Sequence, residues 1–147
     1  MKVAIGADHG GFLYKEMIKE KFDKDITIID MGAFSHNPDD DYVDFSLAVA
    51  EAVASKKADR GIFVCRTGVG ASISMNKVVG VYCGLAESKE DCLLARKKNN
   101  INCLTFGADN VSKRKVCELV KTFLMTEFEG GRHQRRVDKI KDYENKK

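Results

Sequence analysis

Residues Gly61-Ile62-Phe63-Val64-Cys65-Arg66-Thr67-Gly68-Val69-Gly70 run from an unbroken apolar stretch into a glycine-rich turn. Helical apolar spacing over Val69 to Lys77 follows at once. A short continuous apolar run marks a strand buried on both faces, and a strand that turns directly into a helix is half of a parallel β/α unit. The same pairing recurs in both directions along the chain. Val3 to Ile5, Ile26 to Ile29, Val79 to Cys83 and Cys103 to Phe106 read as four further strands. Leu13 to Phe22, Tyr42 to Ala54, Ser88 to Lys97 and Val111 to Thr126 read as helices, as in the spacing of Phe45, Val49, Ala52 and Val53. Strands alternating with helices predict an α/β domain, a five-stranded parallel sheet covered on both faces. Glu129-Gly130-Gly131 then reverses the chain into a basic C-terminal segment, about 132–147, with a helix from about Val137 to Lys147.

The 147 residues, 44% of them hydrophobic, suffice for a single domain spanning 1–147. The cysteines at 65, 83, 92, 103 and 117 are odd in number and form no CxxC pair, which fits reduced thiols in a cytoplasmic protein better than a disulfide framework or a zinc site. No apolar run approaches the roughly 18 residues of a membrane span, and the N-terminus turns polar too early for a signal peptide. A net charge of +3, from 25 basic and 22 acidic residues, calls for neither nucleic acid nor a membrane; small anions suit it better.

In open parallel sheets ligands bind beyond the carboxyl ends of the strands, commonly between the first and third. Two glycine-rich loops fall there: Gly6-Ala7-Asp8-His9-Gly10-Gly11 and Cys65-Arg66-Thr67-Gly68-Val69-Gly70. In the second, Gly68 and Gly70 allow a tight turn whose N–H groups can converge on an anion at a helix start. A thiol there is expected to titrate below its usual value of about 8.5. The bland alternative is a structural turn carrying a buried cysteine. Asp8 and His9 fit either ligand binding or a helix cap, and His36 reads as a solvated loop residue. The other four cysteines read as packing. Arg132 and Arg136 stand four apart, so they share a helix face and can clamp a phosphate, or form a solvated basic face. Lys97 to Asn100 form a polar cluster before strand five, expected near the same sheet edge as the two loops.

Together GADHGG, CRTGVG with Asn76-Lys77 and Gly80, KNNINCLTFGA and EGGRHQRRV resemble the ribose-5-phosphate isomerase B and galactose-6-phosphate isomerase family from residue 2 to about 140. The resemblance implies homodimers of three-layer α/β/α Rossmann-like domains, with shared active sites and no metal or organic cofactor. By matching positions it implies Cys65 as the base that moves a proton between C1 and C2, and Thr67 assisting at the oxygens. Backbone N–H groups of residues 66 to 70, including Gly68, Val69 and Gly70, would hold the enediolate, while Asp8 and Tyr42 contact the sugar. His9, Arg132 and Arg136 match phosphate ligands, Asn99 matches a substrate ligand, and His133 takes a phosphate-side role.

Three positions depart from the family's pattern. Lys98 stands where many relatives place a ring-opening histidine, and could replace it only with a pKa well below about 10.4. Asp109 stands where ribose-5-phosphate enzymes often have a phosphate-binding arginine. Arg66 replaces a glycine and would either accept that glycine's backbone angles or change the loop; it could also restore the lost positive charge. The expected reaction is interconversion of ribose 5-phosphate and ribulose 5-phosphate. The alternatives are a hexose-6-phosphate isomerase of allose or galactose type, or a non-catalytic sugar-phosphate sensor.

Overall fold

The computed structural model describes residues 1–146, so Lys147, the last residue of the expected C-terminal helix, lies outside the described residues. Five strands alternate with helices: β1 (Lys2–Ala7), α1 (Phe12–Phe22), β2 (Thr27–Asp30), α2 (Tyr42–Ala54), β3 (Arg60–Cys65), α3 (Val69–Met75), β4 (Cys83–Leu85), α4 (Lys89–Asn99), β5 (Cys103–Gly107), α5 (Lys113–Met125) and α6 (Arg132–Glu144). All ladders are parallel and the sheet order is β2-β1-β3-β5-β4, so the winding reverses between β1 and β3. That reversal opens a crevice at the carboxyl ends of these two strands, where both glycine-rich loops emerge.

Strand side chains alternate between two cores, as the period of two requires. Val3, Ile5, Ile62, Val64, Leu104 and Phe106 pack with Ile18, Phe22, Cys92, Leu119 and Phe123 of α1, α4 and α5. Ala4, Phe63, Cys65 and Cys103 pack with Val49, Val53, Ala71 and Met75 of α2 and α3. The result is the expected α/β/α sandwich. Cys83, Cys92 and Cys103 are buried as packing residues, and Cys117 is half-buried.

Two boundaries differ from the sequence expectation. The strand expected over Val79 to Cys83 begins only at Cys83. Asn102 takes the Tyr82 N–H and the Gly80 carbonyl, both at 2.8 Å, and Asn76 takes the Cys83 N–H and carbonyl, both at 2.9 Å. Side-chain amides thus occupy backbone groups that a longer strand would place in the ladder. The last helix starts earlier than Val137, at Arg132, directly after Gly131 with its φ of +57°.

One ion pair sits deep beneath the first loop. Lys15 of α1 is fully buried, and its Nζ donates to both Asp30 oxygens at 2.8 and 2.9 Å and to the Ala33 carbonyl at 2.6 Å. Lys19 adds a bond to Asp30 at 2.6 Å. Burial pulls the Asp30 carboxyl up, but these donors outweigh it and hold it below the usual carboxylate range.

Removing one partner of a buried pair typically costs about 3–5 kcal/mol. Lys15→Met is accordingly expected to lower the urea unfolding free energy by about 3 kcal/mol, the low end because Lys19 still faces Asp30. The depressed Asp30 group stabilises the fold above its ordinary value of about 3.9, and that contribution is lost as pH falls through its lowered folded value. Asp30→Asn should therefore flatten the acid limb of stability against pH; an unchanged limb would rule out Asp30 as its source.

Candidate active site

The loop after β3 starts from Cys65. Cys65 is the last residue of that buried strand, and its Sγ accepts the Gly68 N–H at 3.1 Å. Gly68 holds φ at +79°, and a Cβ there would come within 2.9 Å of the Phe106 backbone, so glycine is required on both counts. Arg66 stays outside the positive-φ region, so the arginine fits its place in the turn. Val69 and Gly70 open α3, and Thr67 Oγ1 lies 3.4 Å from the Val69 N–H.

The thiol corrects one expectation. Burial pushes Cys65 up from its ordinary value, Gly68 and other N–H donors offset this in part, and the nearby Asp8 carboxylate pushes it further up. Loss of hydration outweighs the helix start. The thiolate, once formed, is accordingly a stronger base than that of an ordinary cysteine.

The loop after β1 faces this turn. Asp8 is buried, and its Oδ1 accepts the Gly10 and Gly11 N–H groups at 2.9 and 3.1 Å. Asp8 thus closes the turn ahead of α1 and does not cap the helix, whose N-cap is Gly11 without a side-chain bond, and Oδ2 has no such turn bond. Burial raises the Asp8 carboxyl, with the Gly11 N–H and His9 opposing. Arg66 spans the two loops: its stem lies over Gly10, where a Cβ would meet Arg66 Cγ at 2.4 Å. Its Nε reaches Asp109 Oδ2 at 3.2 Å, so two of the departures from the family pattern pair with each other. Both groups are largely exposed, which makes the pair weak. Tyr42, the first residue of α2, lies against Gly70; a Cβ on Gly70 would sit 2.5 Å from its hydroxyl oxygen.

Among the described residues Asp8, His9 and Asp40 each offer a ligand atom within 4.8 Å of the others. His9 Nδ1 is already 2.7 Å from Asp40 Oδ1, so the group reads as a hydrogen-bonded pair beside Asp8. Sequence reasoning missed Asp40. It stands 31 residues from His9, inside an acidic run that looks solvated, and no local spacing marks it. His36 is exposed, yet its ring meets those of His9 and Phe12 edge-on at 6.4 and 6.2 Å.

The remaining candidates lie elsewhere. Lys98 and Asn99 end α4, immediately before β5, and therefore stand at the amino ends of the strands. The cluster 97–100 was expected at the same edge as the glycine loops; a helix that returns to feed a parallel strand must instead finish at the opposite edge. Glu129 N–H donates to the Lys97 carbonyl at 3.0 Å, which pins the Gly130-Gly131 turn and the start of α6 to this end of α4. Arg132 and Arg136 are exposed there, whereas His133 is buried with Nε2 3.6 Å from Glu129. One chain thus gathers Cys65, Arg66, Thr67, Gly68, Val69, Gly70, Asp8, His9 and Tyr42 at one end. It leaves Lys98, Asn99, Arg132, His133 and Arg136 at the other.

The sequence matches the model of the Ribose/Galactose Isomerase family over residues 3–140. It is 46% identical over 147 residues to YwlF of Bacillus subtilis, named for a sugar phosphate isomerase with no sugar specified, and covers 99% of each chain. The fold superimposes on ribose-5-phosphate isomerase B of Clostridium thermocellum with a TM-score of 0.96, at 41% identity and 99% coverage of both chains. Against the Mycoplasma genitalium enzyme, solved with bound ribulose-5-phosphate, the TM-score is 0.95 at 38% identity, covering 99% of this chain and 97% of that one.

The raised Cys65 thiol sets an expectation for its chemistry. Alkylation at Cys65 by iodoacetamide, followed site by site with mass spectrometry, should accelerate with a midpoint above the usual value of about 8.5. A rate already at plateau by about pH 8 would mean that the N–H donors, not burial, control the thiol.

Proposed function

The chain belongs to the ribose/galactose isomerase family, and from that membership we infer that it interconverts ribose 5-phosphate and ribulose 5-phosphate. The observation that carries the reading is the convergence of a buried thiol, Asp8 and His9 on the crevice between β1 and β3. It is joined by close likeness to an enzyme holding the ketose product.

Aldose–ketose isomerisation moves a proton between neighbouring carbons and shifts an electron pair within the substrate, so no external electron acceptor enters the balance. The Cys65 thiolate takes the C2 proton and returns it to C1. Its raised pKa brings it closer to the weak carbon acid, which favours transfer once it is ionised. The negative charge that develops on the two oxygens is met by N–H groups at the turn from Arg66 to Gly70, with Thr67 at the oxygens. Asp8 and Tyr42 orient the sugar. The phosphate, far from the reacting carbons, is held by His9 and by Arg132 and Arg136, so remote binding energy places C2 at the sulfur. Arg66 adds positive charge close to His9, which it opposes electrostatically.

Those phosphate ligands lie at opposite ends of one chain, so the site we propose is completed by a second copy. Support comes from the apolar surface that runs along α3 from the crevice toward the opposite edge: Val69, Ile73 and, beyond the helix, Val79 are 50%, 59% and 64% exposed. In a two-fold dimer the α4–α6 end of one copy would bring Asn99, Arg132, Arg136 and Lys98 to the thiol of the other, giving two shared sites.

The test compares wild type with Cys65→Ala on ribose 5-phosphate, with allose 6-phosphate and galactose 6-phosphate in parallel. Wild type should convert the pentose, and the folded variant should lose about a thousandfold or more in kcat. Turnover of a hexose alone would select the hexose reading, and binding without turnover the sensor. Mixing Cys65→Ala with Arg132→Ala/Arg136→Ala under subunit exchange should restore about a quarter of wild-type activity, because half the dimers then hold one intact site. No recovery, or an active monomer by light scattering, would overturn the shared site.

A further inference from the structure

The phosphate reading of His9 leaves open what sets the orientation and charge of its ring. Asp40 lies in the loop between β2 and α2, with a side chain only 7% exposed. Its Oδ1 accepts two bonds from the same residue: the His9 backbone N–H at 2.9 Å and the ring Nδ1 at 2.7 Å. The other oxygen, Oδ2, is buried without a hydrogen-bond partner among the described residues. A carboxylate so enclosed depends on an adjacent cation to offset its lost hydration, and the imidazolium is the cation at contact distance.

We propose that Asp40 is a positioning residue for His9, fixing the ring with Nδ1–H donated inward so that Nε2 is the nitrogen presented to the substrate's phosphate. The inference rests on the sugar-phosphate reading above and deepens it. A loop tie alone would need only the backbone bond. The second bond, from the same oxygen to the ring, selects one tautomer of the neutral imidazole and one orientation of the charged one. It also favours the charged form, which meets a phosphate better than a neutral ring does.

The surroundings of the ring decide the sign of the effect. The hydrogen bond to Asp40 raises the His9 pKa, against partial desolvation and the Arg66 guanidinium; the Asp8 carboxylate also raises it, and the ring of His36 stands edge-on. With Asp40 neutralised, Arg66 and desolvation remain against Asp8 alone, so the His9 titration should move down. The ring then loses charge at a lower pH, and phosphate affinity is lost with it.

The test is Asp40→Asn, read in two ways on the full-length enzyme. In an NMR titration of the His9 ring, wild type should titrate above the ordinary value of about 6.5 and the variant clearly below wild type. In kinetics at pH 7.5, KM for ribose 5-phosphate should rise about tenfold with kcat within about twofold, as for lost ground-state phosphate binding. Asp40→Glu should recover part of both. An unmoved His9 titration, or a loss in kcat with KM unchanged, would overturn the proposal. A second measurement needs no variant: above the titration, ring 15N shifts of wild type should show Nδ1 protonated and Nε2 bare, and the opposite tautomer would overturn it equally. If wild type fails to bind ribose 5-phosphate while His9 still titrates through Asp40, the fault lies in the substrate reading and the pairing is upheld.

Discussion

The buried Lys15 ammonium is the constraint on which the ligand-facing end of the molecule depends. An ammonium without water must be surrounded by acceptors, and here they come from the end of β2 and the segment beyond it, Asp30 and the Ala33 carbonyl. The same segment is sewn to β1 by the backbone bonds of Ala7 N–H to the Gly32 carbonyl and Ala33 N–H to the Ala7 carbonyl, at 2.8 and 2.7 Å. Lys15 is also tied to the end of the first loop, since its N–H donates to the carbonyl of Gly11, the N-cap of α1, at 2.9 Å. One side chain thus fixes the separation between the loop that carries Asp8 and His9 and the loop that carries Asp40. The short bond between His9 and Asp40 is possible because that separation is set elsewhere.

Cys65 shows two local forces in competition. A helix start and a turn rich in N–H groups favour the thiolate, while a strand end at 5% exposure and a neighbouring carboxylate disfavour it. Burial prevails, so the balance at this sulfur lies toward the thiol. A molecule that filled the crevice would change both the hydration and the local charge, the two quantities on which this balance turns.

Much of this was legible from the chain. The apolar runs located every strand but β4, which the expected run met only at Cys83, and the helical spacing located every helix but α6, which was marked by its glycine turn, because a sheet buried on both faces leaves little choice of side chain. The loop after β3 was legible through Cys65, Gly68 and Gly70, which stand together in sequence. What failed to show were relations between distant residues. The amides of Asn76, at the end of α3, and Asn102, just before β5, shortened β4 from either side of it in sequence, and neither residue lies within the expected strand. Lys15 hides in an amphipathic helix pattern in which a lysine reads as solvated. The placement of Lys98 and Asn99 was recoverable in principle, since the end of a helix feeding a parallel strand fixes the sheet edge. The direction of the thiol's shift was not, because it turns on the balance between desolvation and hydrogen bonding.

The two borders of the sheet carry a further consequence. β2 and β4 are four and three residues long, and the approach to β4 has its peptide groups taken by two asparagine amides. β2 ends in Asp30, held by two lysines. An unpaired strand border is a template onto which a stray chain can add, and short or occupied borders remove it. Both borders of this sheet are therefore poor templates for growth, which leaves helices and loops, whose side chains distinguish one orientation from another, as better contact surfaces than a backbone that would accept any extended segment.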